Sequence, residues 1–406
     1  MKDLLVTADR LIDGTGRPPI EKGALLVSGG SIRWVGSVDE LPEGADAEVK
    51  DLPGCTILPG LIDAHVHLSL MGGADPWAEM VGDSIGRAAL KATYNAKATL
   101  FAGITTVRDM GSKGGTVIEV ARAIEEGLLE GPHVQAAGRC IVMTGGHGYA
   151  FGGEVDGVDE ARKATREDLK MGAGVLKVMA TGGVLTPGVE PGAAQLTIEE
   201  MRAVAEEAHK AGRRVAAHAH GAEGIKNALR AGIDSIEHCS YLDEEAVELF
   251  RKTGAYMVST LIASMSLIWK IDDPRLPGYV VEKIKRHIDH EVASLERAIR
   301  ARLKIAAGSD AGSALNPHNR LPKQVALLVE HGMSPMEAIQ AGTKVSSQAL
   351  NMAKEVGTLE RGKVADALIV RGDPLEDISV LEEVVAIVKS GKWIPGDGAC
   401  CREDDE

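Results

Sequence analysis

The sequence is poor in aromatic rings: its 406 residues include only 3 Phe, 5 Tyr and 4 Trp. That scarcity excludes an aromatic-cored β-sandwich as the main architecture. With 48 Gly and 44% hydrophobic residues it suits an α/β interior of Ala, Val and Ile. No apolar run approaches the ~20 residues that span a bilayer. The start, Met1-Lys2-Asp3-Leu4, has no long apolar stretch behind its lysine, so no leader peptide is expected. The five cysteines, at 55, 140, 239, 400 and 401, form no C-x-x-C pair and no regular framework. A structural zinc finger and a disulfide scaffold are thereby excluded. Positive charge is also short, 45 Lys and Arg against 59 Asp and Glu, for a net charge of −14. Neither a nucleic-acid groove nor an anionic membrane surface is expected of such a chain. These absences point to a soluble, cytoplasmic protein.

What the sequence does contain is ordered by position. Residues 1–57 carry short β-prone runs, Leu4–Val6, Ala24–Val27 and Ile32–Val35, separated by turn pairs such as Asp13-Gly14 and Gly29-Gly30. From residue 58 to 353, apolar strands alternate with amphipathic helices, the pattern of βα units. Strands are expected at His65–Leu68, Ile104–Arg108, Val134–Ala137, Val175–Met179, Val215–His218, Asp234–His238, Tyr256–Ser259 and Ile305–Gly308. Thr197 and Glu200 form a capping box that opens a helix running to 211. Eight such repeats predict a (β/α)8 TIM barrel, with its active site at the C-terminal ends of the strands. A helix is expected over 334–353. Residues 354–395 are strand-like again and predicted to pair with 1–57 in one small β domain, and the acidic tail 396–406 is expected to be disordered.

Chemistry gathers at the strand ends. His65-Val66-His67 closes an apolar run, and residues i and i+2 of a strand share a face, so both imidazoles aim at one spot. Taken alone, H-x-H is a weak signal. Of the 12 histidines, however, His218, His220 and His238 also end predicted strands, and His147 lies in the loop after the third. Strand interiors are apolar and buried polar groups need partners, so this gathering indicates metal ligands. His133, His209, His287, His290, His318 and His331 fall in helices or connections and read as surface residues. Asp310, after Gly308-Ser309, reads as an N-cap in isolation but as a metal-facing carboxylate opposite the histidines. Lys177 interrupts the apolar run Val175–Met179. It is either paired with a buried carboxylate, snorkelling at the strand mouth, or an uncharged amine that takes up carbon dioxide as a carbamate. Arg108 reads as an ion-pair partner of Asp109 or Glu237.

On these residues the chain resembles the amidohydrolase superfamily. The matching segments are Pro59-Gly60-Leu61-Ile62-Asp63-Ala64-His65-Val66-His67, Lys177, His218, His238 and Gly308-Ser309-Asp310. The flanking segments Val6–Gly16 and Gly362–Asp366 match as well. The resemblance implies a TIM barrel flanked by a small β-sandwich from both termini. It also implies two divalent metal ions, zinc by preference. His65, His67 and Asp310 would hold one, His218 and His238 the other, with carboxylated Lys177 and a hydroxide between them. Lys177 separates this branch from imidazolonepropionase-like and deaminase-like members, which generally use one metal. The stretches Met143–Gly148, Ala180–Val184 and His218–Gly221 resemble prolidase-like and carboxypeptidase-like dipeptidases, which act on Xaa-Pro and other dipeptides and on N-acyl amino acids. Relatives that hydrolyse ochratoxin-type amides and aryl-ureas supply the alternative substrate class, and a mononuclear deaminase-type enzyme is the lesser one. Under this resemblance Asp310 carries the proton, His220 assists at the scissile carbonyl, and His147 binds the substrate's carboxylate. A homo-oligomer is implied too. Specificity is expected from loops 69–81, 143–158, 181–194, 261–280 and 311–319.

Overall fold

The computed structural model of the chain describes residues 3–42 and 47–396. The expected acidic tail, beyond Gly396, lies outside the described residues. The N-terminal strands are β1 (Asp3–Leu11), β2 (Ile20–Ser28), β3 (Ser31–Ser37) and β4 (Ala47–Pro59). Next come β5 (Leu61–Val66), β6 (Ile104–Asp109), β7 (His133–Ala136), β8 (Cys140–Met143) and β9 (Glu154–Val155). Then follow β10 (Val175–Met179), β11 (Arg214–Ala219), β12 (Ser235–His238), β13 (Tyr256–Ser259) and β14 (Ile305–Ala307). The last are β15 (Ala367–Arg371), β16 (Val384–Lys389) and β17 (Lys392–Pro395).

The two termini meet in one seven-stranded sheet, ordered β17-β16-β15-β4-β1-β2-β3 and antiparallel except for the β1–β4 pair. Its inward side chains, among them Val6, Leu25, Ile57, Ile369 and Val388, are fully or almost fully buried in one cluster. Between them lie two parallel arcs, β5-β6-β7 and β14-β13-β12-β11-β10-β8-β9. Backbone hydrogen bonds link the arcs on both sides. Gly174 N donates to Ala136 O (2.8 Å), Asp310 N to His65 O (2.7 Å) and His67 N to Ala311 O (2.8 Å). A helix follows each barrel strand, as in Ile85–Phe101, Val158–Met171 and Ile198–Lys210. This is a mixed α/β fold with the strand order of a TIM-like barrel. The Thr197–Glu200 capping box forms, with Glu200 N donating to Thr197 Oγ1 and Thr197 N to Glu200 Oε2. Among the described residues no helix is long and apolar enough to cross a membrane.

Four expectations change. In the sequence Pro59 and Gly60 read as the loop that enters the histidine run, but β4 passes into β5 through Gly60 alone, where a Cβ would meet Thr105 Oγ1 at 2.2 Å. The third barrel strand is broken into β7 and β8 by Ala137–Arg139. Helix 334–353 is split into Pro335–Gln340, a π turn at Ala341–Val345 and Ser346–Ala349. There Thr343 Oγ1 takes Ile339 O and Ser346 Oγ takes Ala341 O, so side-chain hydroxyls engage carbonyls of the preceding turn. Finally, the segments 69–81 and 261–280 contain the helices Pro76–Gly82, capped by Asp75, and Leu261–Trp269.

Candidate metal centre

Strand alternation does what the H-x-H spacing requires. His65 is the last residue but one of β5, His67 lies just past its end, and the Nε2 atoms of both point at Asp310 Oδ1, at 3.4 and 3.5 Å. His218 comes from β11, His238 ends β12, and His220 follows β11. Potential ligand atoms of His65, His67 and Asp310 lie within 4.8 Å of one another, and so do those of His218, His220 and His238. The groups touch, the His65 and His238 rings being 5.0 Å apart. His238 (φ 71°) and Asp310 (φ 54°) both sit in the left-handed region, unusual for non-glycine residues and common at functional sites. Gly308 makes room for His65, since a Cβ there would lie 2.7 Å from His65 Cβ.

Each imidazole is tied back through one nitrogen. His65 Nδ1 donates to Glu237 Oε2 (2.8 Å), and His67 Nδ1 to Gly111 O (3.2 Å). His238 Nδ1 meets Thr260 Oγ1 (2.7 Å), and His220 Nδ1 meets Ser240 Oγ (2.8 Å). His218 is reversed: its Nε2 donates to Gly182 O (2.9 Å), and among the described residues its Nδ1 has no hydrogen-bond partner. Orientation through the second nitrogen is the arrangement metal-binding histidines share. Burial, and the neighbouring Lys177 charge after it, hold His65 well below the ordinary imidazole value and bring His67 to about 3, so both are uncharged.

Lys177 is fully buried and lines the same cleft. Among the described residues its Nζ makes no hydrogen bond and no ion pair, so it is not a lysine paired with a buried carboxylate. Burial pushes its pKa down. Burial likewise lifts Asp310, to about 8. Arg108 does pair with Glu237, through Nη2 at 2.9 and 3.1 Å, and also takes Ser235 Oγ and Ala64 O. It thus anchors the carboxylate that orients His65.

His147 joins the cluster. Its ring centroid is 4.4 Å from that of His218, and its Nδ1 lies 2.7 Å from Thr186 Oγ1. Burial, with Lys177 next, lowers it to about 3. The neighbouring loop that carries Thr186, 181–194, is held from behind by residues that sequence reasoning missed. Buried Lys283 donates to the carbonyls of Gly183 (3.2 Å), Thr186 (2.7 Å) and Val189 (2.6 Å), and Tyr279 Oη to Leu185 O (2.9 Å). Two histidines read as surface residues are buried instead, His287 beside the His220 ring and His318 with Nε2 on Leu70 O. A histidine on a helix carries no sequence mark of which face is covered.

An open cleft lies over these residues. Trp77, Met80, Phe151, Leu185 and Leu267 form apolar walls around the polar floor. A model described as the Amidohydrolase family matches residues 56–394. An ochratoxinase from Aspergillus niger is 33% identical over 98% of this chain and 88% of its own. Among solved structures, a Xaa-Pro dipeptidase with methionine bound in the active site is 34% identical, covers 97% of this chain and 100% of its own, and has a TM-score of 0.90. A prolidase complexed with N-methylphosphonate-L-proline is 28% identical over 97% and 100%, with a TM-score of 0.88.

Proposed function

Because the chain belongs to the amidohydrolase family, we propose that it is a metal-dependent amide hydrolase that frees the C-terminal residue of dipeptides, Xaa-Pro among them, and of N-acyl amino acids. The observation that carries this reading is the donor set. Imidazoles tied back through one nitrogen, the Asp310 carboxylate and a partnerless buried lysine converge at one end of the strands. Such donors fit divalent cations, zinc foremost. His65, His67 and Asp310 would hold one ion, His218 and His238 the second. Lys177 would join both after its uncharged amine adds to carbon dioxide, forming an N–C bond, releasing a proton to solvent and gaining two ligand oxygens. When bound, these cations supply Lewis acidity, which polarises a carbonyl and makes a water molecule acidic near neutral pH.

The chain's own groups do the rest. Asp310 turns Oδ1 to His65 and His67. Its Oδ2 would receive the proton of the attacking water and pass it to the leaving nitrogen. With the Ser240 hydroxyl donating to His220 Nδ1, His220 Nε2–H becomes a donor for the scissile carbonyl. Thr186 sets His147 in the same way, and its Nε2–H would bind the substrate's carboxylate. Screening metal-loaded protein against a dipeptide and N-acyl amino acid library tests the reading. Release of free amino acid, in proportion to metal content, is expected; no cleavage of any carboxylate-bearing amide would overturn it. The apolar cleft walls favour a second reading, an aromatic amide, urea or carbamate as substrate. Aryl amides, ureas and carbamates that lack a carboxylate, added to the same screen, separate the two.

A further inference from the structure

One buried acid that the proposed mechanism does not use lines the cleft. Glu291 lies on the Gly278–Arg300 helix, two turns past Lys283, among Ala263, Leu267 and Ile284. It accepts one hydrogen bond, from Ser264 Oγ to Oε2 at 2.6 Å. Among the described residues no lysine or arginine reaches it. His287 Nε2 lies 3.7 Å from Oε2, too far for a hydrogen bond. That nitrogen is itself buried without a partner. His287 Nδ1 is 3.4 Å from Tyr241 Oη, so a Nδ1–H tautomer leaves Nε2 as an acceptor. The two do not share a charge. Burial brings His287 to about 4 and lifts Glu291 to about 7, leaving the carboxyl on the edge of ionisation with no cation in reach. A buried carboxylate without a counter-charge is costly, and one that faces a ligand cleft is matched by a ligand that brings the charge.

We propose that Glu291, with His287 Nε2 and Ser264 beside it, is a recognition subsite for a protonated amine or guanidinium carried by the substrate. This deepens the amide-hydrolase reading and rests on it. The cation has two sources: the end of a basic side chain on the released residue, or the α-ammonium of a dipeptide. Three amides separate them on the metal-loaded enzyme. N-acetyl-norleucine carries neither cation, glycyl-norleucine adds only the α-ammonium, and N-acetyl-lysine adds only the side-chain ammonium.

At least one cationic amide is expected to exceed N-acetyl-norleucine in kcat/KM by roughly tenfold or more. Glu291→Gln should remove that preference while leaving N-acetyl-norleucine unchanged. Equal values for all three amides in the wild type, or a preference that survives Glu291→Gln, would overturn the proposal. Calorimetric titrations of lysine against norleucine, and of glycinamide against acetamide, give a readout that needs neither turnover nor the variant. Tighter binding of the cationic partner supports the subsite, and equal binding in both pairs refutes it. If no amide is cleaved but the cation is still preferred, the hydrolase reading fails and the subsite stands.

Discussion

Glu237 is the residue through which the barrel interior reaches the proposed metal centre, and replacing it by Gln isolates that role. Its carboxylate accepts from His65 Nδ1 at 2.8 Å and faces the Arg108 guanidinium at 2.9 and 3.1 Å, all three groups being fully buried. Gln keeps the shape and can still offer an oxygen to His65 or to Arg108. It cannot supply the charge, and its amide hydrogens oppose the N–H groups of whichever neighbour they face. Breaking one partner out of a buried pair costs about 3–5 kcal/mol, because the other charge is left uncompensated. Loosening the group that orients a ligand histidine lowers metal affinity by about 10–100-fold. Urea denaturation of the metal-free protein would measure the first effect, and competition with a chelator the second. The double variant Glu237→Gln/Arg108→Met should recover stability but not metal affinity, since only the stability loss arises from the orphaned guanidinium. Unchanged metal affinity in Glu237→Gln would refute the orienting role.

Three further perturbations follow from single distances. Gly308→Ala forces a Cβ to within 2.7 Å of His65 Cβ and 2.9 Å of Val258 Cγ1; a stability loss of about 1–3 kcal/mol with reduced metal retention is expected in melts and metal analysis. Lys283→Met leaves the carbonyls of Gly183, Thr186 and Val189 without their donor. The loop that carries Thr186 should loosen and with it the orientation of His147, raising KM for carboxylate-bearing substrates by about tenfold with little change in kcat, an effect an unrelated core defect would not confine to KM. Glu291 rises from 4.5 to about 7 on folding, so between those pH values the native state holds the extra proton and stability falls as pH rises. That loss is about 3 kcal/mol between pH 4.5 and 8, and Glu291→Gln should remove it from urea titrations across the range.

Much of the proposed centre could be read from the residues because polar side chains in apolar strands have few other reasons to be there. His65, His67, Lys177, His218, His238 and Asp310 all come together at one strand end. What stayed hidden was non-local. Thr186 is 39 residues from the His147 it orients, and Glu237 is 172 from His65; no spacing rule connects them. The helix Leu261–Trp269 is apolar on nearly every side and so lacks a 3.6-residue stripe. Glu291 and His287 look like surface residues because the long charged helix that carries them does not advertise which face lies against the barrel.

The account turns on Lys177, and kcat/KM of Lys177→Ala on a cleavable N-acyl amino acid tests it most directly. A fall of several orders of magnitude, partly reversed by adding a short carboxylic acid to replace the missing oxygens, is the predicted result. Wild-type activity in Lys177→Ala with no such acid present would contradict it.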